Sequence, residues 1–204
     1  MNNVMLDLET FGTSSNSAIF SIGAVSFCRS NGILDRFYVN IDPSDCQKHG
    51  LEINADTVVW WMSQSEEARN SVCEPKDING DKATRLPLKE ALIEFTEWLS
   101  VVSPPFLGDS SKSVLSDLAV WGCGSDFDNV LIENAYKKVG EKVPWKFRNN
   151  RCYRTIKSLF PNIKIERKGT HHNALDDAEH QANHLIEIFK SMNCFDGSDN
   201  QPVL

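Results

Sequence analysis

Two carboxylates near the N-terminus are spaced so that they could bind a metal ion together. Asp7 and Glu9 are separated by one residue in the stretch VMLDLET. If this stretch is a β-strand, both side chains point to the same face, because side-chain direction alternates along a strand. Two carboxylates on one face form half of a divalent-metal site. An acidic strand face that is merely exposed to solvent would show the same pattern.

A second group of acids follows a short apolar run in LAVWGCGSDFDNVLIENAY. The apolar run 118–122 predicts a buried strand, and the spacing of Phe127 and Leu131 predicts a helix directly after it. An acid at the start of a helix often caps the helix or interacts with its dipole. We assign that role, as a cap or as a partner of the helix dipole, to Asp126, which precedes the helical pattern, and a metal-binding role to Asp128.

The third group is HHNALDDAEHQANHL, with histidines just before a predicted helix and acids in its first turn. Asp176 and Asp177 flank the apolar face of that helix about equally, so periodicity does not choose between them. Taken alone, either His171 or His172 is more typical of a surface residue than of a catalyst. The residues themselves therefore leave both pairs open.

The elements that must position these groups indicate an α/β fold. Three runs rich in β-branched and aromatic residues, VMLDLET, AIFSIGAVSF and ILDRFYVNI, predict consecutive strands in an antiparallel meander. Strands that later alternate with helices indicate a mixed sheet flanked by helices. The predicted helices are 55–68, 86–99, one after strand 118–122, and 173–192, and the predicted loops are 74–85 and 103–113.

Length and composition indicate one cytoplasmic domain. A chain of 204 residues with 41% hydrophobic content can bury one core, which we place in residues 1–194, with 195–204 as a frayed tail. No run of 18 apolar residues occurs, so no membrane partner is expected. The six cysteines are scattered and include no CxxC pair, which argues against a zinc site and predicts reduced thiols.

Basic residues are concentrated in one segment of an otherwise acidic chain. Residues 137–168 contain eleven Lys and Arg against two Glu, a balance of +9, whereas the whole chain carries −7 and the remainder therefore −16. Clustered Lys and Arg are typical of proteins that bind nucleic-acid phosphates. A solvated basic surface is the simpler interpretation of such a segment taken alone.

Three motifs, DLETFGT, GSDFDNVLIENAY and HNALDDA, together resemble the exonuclease motifs of the DEDDh branch of the DnaQ-like, ribonuclease-H-like superfamily. The resemblance spans about residues 4–190 and implies a ribonuclease-H-like fold and 3′ to 5′ exonuclease activity. In that family an Asp follows a Phe at a helix start, which selects Asp128. A His stands five residues before the last Asp, which selects His172 with Asp177.

A narrower likeness joins VVWWMSQSEEAR to a subgroup that contains phage DNA exonuclease A and certain bacterial exoribonucleases. It implies a possible homodimer. A Trp pair in a helix usually belongs to the core, so we expect at least one of Trp60 and Trp61 there. Phe11 departs from the family pattern, in which many members have Thr. The residues expected to contact substrate are Thr10, Phe11, Trp61, Arg151 and Arg154.

The resemblance also implies the cofactors and the roles of the five catalytic residues. Carboxylate oxygens favour Mg²⁺ or Mn²⁺ over zinc, and two such ions can hold an attacking water and a leaving oxygen in line. Asp7 would bridge both ions, Glu9 and Asp177 would hold the water-activating ion, and Asp128 would support the other. His172 would be the general base, and the product a nucleoside 5′-monophosphate.

Several alternatives stay open at this point. We place single-stranded DNA first as the substrate. RNA, the substrate of an exoribonuclease, is the alternative, because no residue in the sequence indicates whether a 2′-hydroxyl is recognised. A non-catalytic nucleic-acid-binding protein that retains the fold is a rival from another class, against which the complete catalytic set argues. A phosphatase acting on small substrates would have no evident use for the basic segment.

Overall fold

The computed structural model describes residues 2–103, 115 and 118–192, and its centre is a five-stranded mixed sheet. The strands are β1 (Asn2–Thr10), β2 (Ile19–Cys28), β3 (Gly32–Asn40), β4 (Leu118–Gly122) and β5 (Asn150–Cys152), in the spatial order β3-β2-β1-β4-β5. The first three form an antiparallel meander, while β4 runs parallel to β1 and β5 parallel to β4. The predicted fold class is confirmed.

Helices cover both faces of this sheet. They are α1 (Pro43–Lys48), α2 (Ala55–Met62), α3 (Glu66–Cys73), α4 (Leu88–Val102), α5 (Asp128–Lys138), α6 (Tyr153–Leu159) and α7 (Ala174–Ser191). Val4, Leu6 and Leu8 of β1 pack in one core cluster with α4 and α5, whereas Met5 packs in a second cluster with α7. Strand alternation therefore places Asp7 and Glu9 on the α7 side.

The predicted helix 55–68 is wrong as a single element, because the chain breaks it into α2 and α3. The Ser65 hydroxyl accepts a hydrogen bond from the Ala68 backbone N–H at 3.3 Å, so it caps a new helix in place of continuing the old one. The predicted helix 86–99 begins two residues later, at Leu88. Pro87 precedes it, and the Asp45 carboxylate accepts from the Leu88 N–H at 2.9 Å.

The capping role given to Asp126 is also wrong. Helix α5 begins at Asp128, its flanking residue is Phe127, and no side chain caps it. The reason is a tight turn before the helix, in which the N–H groups of Phe127 and Asp128 both donate to the Gly124 carbonyl oxygen, at 2.8 and 3.2 Å. The capping position therefore falls after Asp126, whose side chain is exposed.

Other predictions concern the connecting segments. Residues 74–85 form a loop as expected, with one isolated bridge between Lys76 and Lys82. Most of the predicted loop 103–113 and the tail 195–204 lie outside the described residues, so those predictions and the single-domain boundary stay predictions. In the part of the chain that is described, five cysteines are free thiols. None of the described helices is long and apolar enough to cross a membrane.

Candidate active site

The acids of β1 face the first turns of helix α7. The Asp7 carboxylate accepts a hydrogen bond from the Gln181 side-chain amide at 2.7 Å, and Glu9 is 7% exposed. A register shift between Glu9 and Thr10 ends the regular pairing with β2 directly after the second acid. The strand thus presents two carboxylates on one face near the end of its regular pairing with β2.

Gly23 permits the close approach of α7 to these acids. It pairs directly with Asp7 across β1 and β2, and a Cβ atom there would lie 2.2 Å from the Ala174 carbonyl carbon. That distance is far inside van der Waals contact, so any side chain would push the start of α7 away from the sheet. Because Asp177 lies in the first turn of α7, this contact determines how near Asp177 comes to Asp7.

Asp128 reaches the same place from the start of α5. Its Oδ1 accepts from the backbone N–H of Leu8 at 3.3 Å, which ties the helix to β1. Its Oδ2 is buried and has no hydrogen-bond partner among the described residues. Gly122 makes room for the helix, since a Cβ there would lie 3.0 Å from that same oxygen.

The loop before α7 delivers His172 and contacts the two neighbouring acids. The backbone N–H of His172 donates to Asp177 Oδ2 at 2.9 Å, and the N–H of Thr170 donates to Asp176 Oδ2 at 2.7 Å. Both acids therefore hold the loop, but only Asp177 also lies close to an acid of β1. A ring nitrogen of His172 and carboxylate oxygens of Glu9 and Asp177 all lie within 4.8 Å of one another.

His172 is held in an unusual backbone conformation beside two tryptophans. Its φ is +63°, in the left-handed region that side chains other than glycine seldom adopt and that costs about 1 to 3 kcal/mol. The Trp60 and Trp61 rings stand edge-on to its imidazole, with centroids 5.0 and 5.7 Å away. His171 is exposed at the surface. The geometry thus aims only one of the two histidines at the carboxylates.

Arg167 belongs to this site, although the sequence analysis placed it only within the basic segment 137–168. Its guanidinium contacts Asp177 Oδ1 at 2.6 Å and donates to the Thr170 carbonyl oxygen at 3.1 Å. Its Nε is buried without a hydrogen-bond partner in the described structure. No local signal distinguished this arginine, because its role depends on a loop that returns to the end of β1.

The electrostatics of the site favour a bound cation. Burial and then the negative charge of neighbouring acids raise the pKa of Asp7 and Glu9 well above their ordinary values. Burial is also the main cause that raises the pKa of Asp128 to about 7. Together with the unpartnered Asp128 oxygen, these shifts fit carboxylates arranged to bind hard divalent cations. Burial lowers the pKa of His172, which keeps its imidazole neutral near pH 7.

A family model described as the 3′-5′ exoribonuclease Rv2179c-like domain matches residues 2–189. The chain belongs to this family. A search of curated proteins found no match. Membership confirms the predicted enzyme class, a 3′ to 5′ exonuclease. The matched range 2–189 includes every residue of the site described above.

Solved structures share the fold of this exoribonuclease family member. The nuclease domain of 3′hExo, a DEDDh protein bound to rAMP, is 14% identical, with 93% of this chain and 92% of that chain covered and a TM-score of 0.57. E. coli Exonuclease I in complex with a dT13 oligonucleotide is 13% identical, with 93% and 41% covered and a TM-score of 0.58. A 3′-exonuclease that recognises the 3′ end of a histone mRNA stem-loop is 11% identical, with 93% and 82% covered and a TM-score of 0.53.

Three of the five residues that we expected to contact substrate in this exoribonuclease-like chain lie beside a pocket of about 610 Å³. Thr10 and Trp61 line it, but Trp61 is 4% exposed and its indole N–H donates to the Thr10 carbonyl oxygen at 3.0 Å. Trp60 also lines the pocket and is 44% exposed, so it offers the accessible ring. Phe11 packs beside the pocket against Phe20, with centroids 4.8 Å apart.

The other two expected contacts, Arg151 and Arg154, lie on β5 and α6. Arg151 donates to the carbonyl oxygens of Arg148 and Asn150 at 2.8 and 3.0 Å, so its guanidinium is directed back onto its own strand. Arg154 donates to the Cys123 carbonyl oxygen at 2.6 Å, close to the start of α5. Of the two, Arg154 therefore lies nearer the carboxylates.

Proposed function

We propose that the chain removes nucleotides one at a time from the 3′ end of single-stranded RNA. The observation that carries the proposal is the meeting of four carboxylates and one neutral histidine beside an open pocket. The family description favours RNA, whereas the sequence motifs led us to place DNA first. DNA remains the second candidate, because Exonuclease I, which shares the fold, is bound to a DNA oligonucleotide.

The four carboxylates would hold divalent cations, and Mg²⁺ or Mn²⁺ suits an all-oxygen ligand set. When bound, a pair of such ions would orient the attacking water and neutralise charge on the scissile phosphate. Glu9 and Asp177 would hold one ion and Asp128 the other, with Asp7 between them. The unpartnered Oδ2 of Asp128 supports this assignment, because a buried carboxylate oxygen without a donor is otherwise costly.

His172 would take the proton of the attacking water. The water oxygen forms a bond to phosphorus, and the bond between phosphorus and the 3′ oxygen of the preceding nucleotide breaks. That oxygen takes up a proton from solvent and becomes the new 3′-hydroxyl. The released product is a nucleoside 5′-monophosphate. A histidine that is neutral near pH 7 can accept this proton, and the tryptophan edges restrict the rotation of its ring.

The pocket beside Trp60 would receive the terminal nucleotide. Its lining combines the exposed ring of Trp60 with polar groups such as Thr57 and Asn54, next to Glu9. Stacking on an aromatic ring contributes about 1 to 3 kcal/mol per base and tolerates any base. A single open pocket of this kind suits removal of one nucleotide per turnover.

A direct comparison of RNA and DNA tests the substrate. Matched RNA and DNA oligonucleotides with a 5′ label are incubated with Mg²⁺, Mn²⁺ or EDTA, and kcat/KM is measured. We expect RNA to be preferred by about tenfold, the discrimination that one hydrogen bond to the 2′-hydroxyl would supply. A third oligonucleotide with a 2′-O-methyl group on its last nucleotides is the control. Equal or faster hydrolysis of DNA would overturn the choice of RNA.

Homodimer formation also stays a proposal, supported only by the subgroup likeness. Sedimentation equilibrium over a range of protein concentrations measures it directly. A mass near that of two chains of 23.0 kDa each would support a dimer. A single-chain mass at all concentrations would refute it.

A further inference from the structure

A second cavity, of about 650 Å³, meets the loop between β4 and α5 at its other end. Phe127, at the α5 end of the loop, lines the pocket beside Trp60, whereas Cys123, at the β4 end, lines the second cavity. Asp128 follows directly after this loop. The two cavities are thus separate spaces that both border the segment carrying a catalytic carboxylate.

The lining of the second cavity combines basic and apolar side chains. Arg154, Lys157 and Lys164 supply positive charge, Phe160 and Ile163 supply apolar surface, and no Asp or Glu lines the cavity. Within the described ranges, none of the three cations forms an ion pair with a carboxylate. A ligand that combines phosphate charge with a flat apolar ring, as a nucleotide does, matches both parts of this lining.

The cavity begins beside the reaction centre. The Arg154 guanidinium donates to the Cys123 carbonyl oxygen at 2.6 Å, in the segment that leads to Asp128. Gly124 lets the arginine come this close: its φ is +109°, and a Cβ there would lie 3.2 Å from the guanidinium carbon. A strand bound at the carboxylates would therefore pass Arg154 on entering the cavity.

One wall of the cavity is rigidly held. The Tyr153 hydroxyl lies 2.6 Å from His184 Nδ1, and His184 Nε2 lies 2.8 Å from the Ile163 carbonyl oxygen. A histidine that donates from Nε2 to that carbonyl accepts the tyrosine proton at Nδ1. His184 is 4% exposed, so this chain of hydrogen bonds fixes the segment next to Lys164 against α7. A wall that is ordered before binding avoids an entropy cost when the ligand arrives.

We propose that this second cavity, called here the upstream pocket, binds a nucleotide of the substrate strand that lies upstream of the scissile bond. This inference rests on the proposed function. The base would lie against Phe160 and Ile163, and the flanking phosphates would contact Lys157 and Lys164. Affinity then rises in a step once the strand is long enough to reach the upstream pocket. Only an unpaired strand can place a base there.

A length series tests this proposal. We compare kcat/KM for oligonucleotides from a dinucleotide to an octanucleotide in the wild type, in Lys157→Ala/Lys164→Ala, and in Lys137→Ala/Lys142→Ala. The last pair is the matched control, because it removes the same charge from the same basic segment at exposed positions outside the cavity. Thermal unfolding of each variant checks that the fold is kept. Fluorescence anisotropy of the labelled octanucleotide measures binding separately from turnover.

We expect the ratio of kcat/KM for octanucleotide over dinucleotide to fall by about tenfold in the pocket variant and to change little in the control, as loss of two phosphate contacts implies. The salt dependence of binding should flatten by about 1.4 in log-log slope for two lost phosphate contacts. An unchanged length profile in the pocket variant, or an equal loss in the control, overturns the proposal. A wild type that binds the octanucleotide through these lysines without shortening it would support the pocket and overturn the proposed function.

Discussion

Replacing Asp128 by Asn should stabilise the protein in the absence of divalent cations. Burial raises the pKa of this carboxyl from its ordinary value of 3.8 to about 7, so the ionised form opposes folding at higher pH. The folded state binds the proton more tightly than the unfolded state. Its stabilising effect is therefore complete below the unfolded pKa and is lost as pH rises through the folded one. An amide carries no charge and can still accept from the Leu8 N–H.

The size of the effect follows from the two pKa values. Their difference corresponds to about 4 kcal/mol at pH 8, where the folded carboxyl is mostly ionised, and to about 2 kcal/mol at pH 5. Relaxation of the site lowers both figures, but the larger gain stays at the higher pH. Bound cations reverse the sign, because they stabilise the wild type by mass action and the amide binds them more weakly.

Urea unfolding followed by tryptophan fluorescence measures this prediction, at pH 8 and pH 5, in EDTA and in excess Mg²⁺. Asp126→Asn is the matched control, since it makes the same chemical change two residues away on an exposed side chain, where about 0.5 kcal/mol or less is expected. If Asp128→Asn did not change the free energy of unfolding in EDTA at pH 8, or lowered it, the buried Asp128 carboxylate would not destabilise the cation-free protein, and this reasoning would be refuted.

Further variants test the arrangement around α7. His172→Ala should lower kcat by about 10² to 10⁴, as loss of a general base does, while His171→Ala should have a mild effect; the reverse ranking would contradict the assigned roles. Gly23→Ala should push the start of α7 outward and lower kcat by about 10², because a displacement of about 1 Å can cost that much; wild-type turnover would show that the contact does not position Asp177. Arg167→Met removes the cation that pairs with Asp177, so binding of Mn²⁺ to the strand-free protein, measured by electron paramagnetic resonance, should tighten by about threefold or more. Weaker Mn²⁺ binding would mean that Arg167 supports the metal site.

Features set by short-range pattern could be predicted from the sequence. The meander follows from three apolar runs, and the common face of Asp7 and Glu9 follows from strand alternation. The break between α2 and α3 was missed because the cap at Ser65 competes with a helical pattern that continues through it. Strand β5 was missed because it has three residues and depends on its register with β4.

Features set by distant contacts could not be predicted. Periodicity placed Asp176 and Asp177 equally relative to the apolar face of α7. Both accept a backbone N–H of the preceding loop, and only the folded structure shows that Asp177, not Asp176, lies close to Glu9 and His172. Arg167 resembled any other basic residue until that loop brought it to Asp177. Likewise, the sequence indicated that at least one of Trp60 and Trp61 is in the core but did not show which. Their burial differs because only Trp61 directs its indole N–H at the end of β1.

In the proposed function, the four carboxylates hold divalent cations that support hydrolysis of the 3′-terminal phosphodiester bond. The most direct measurement is a time course on a 5′-labelled RNA octanucleotide with Mg²⁺, comparing the wild type with Asp7→Asn. The wild type should produce a ladder of products shortened one nucleotide at a time from the 3′ end, together with nucleoside 5′-monophosphates, and Asp7→Asn should leave the RNA intact. A ladder that persists in EDTA or in Asp7→Asn, or products cut first at internal positions, would contradict the account.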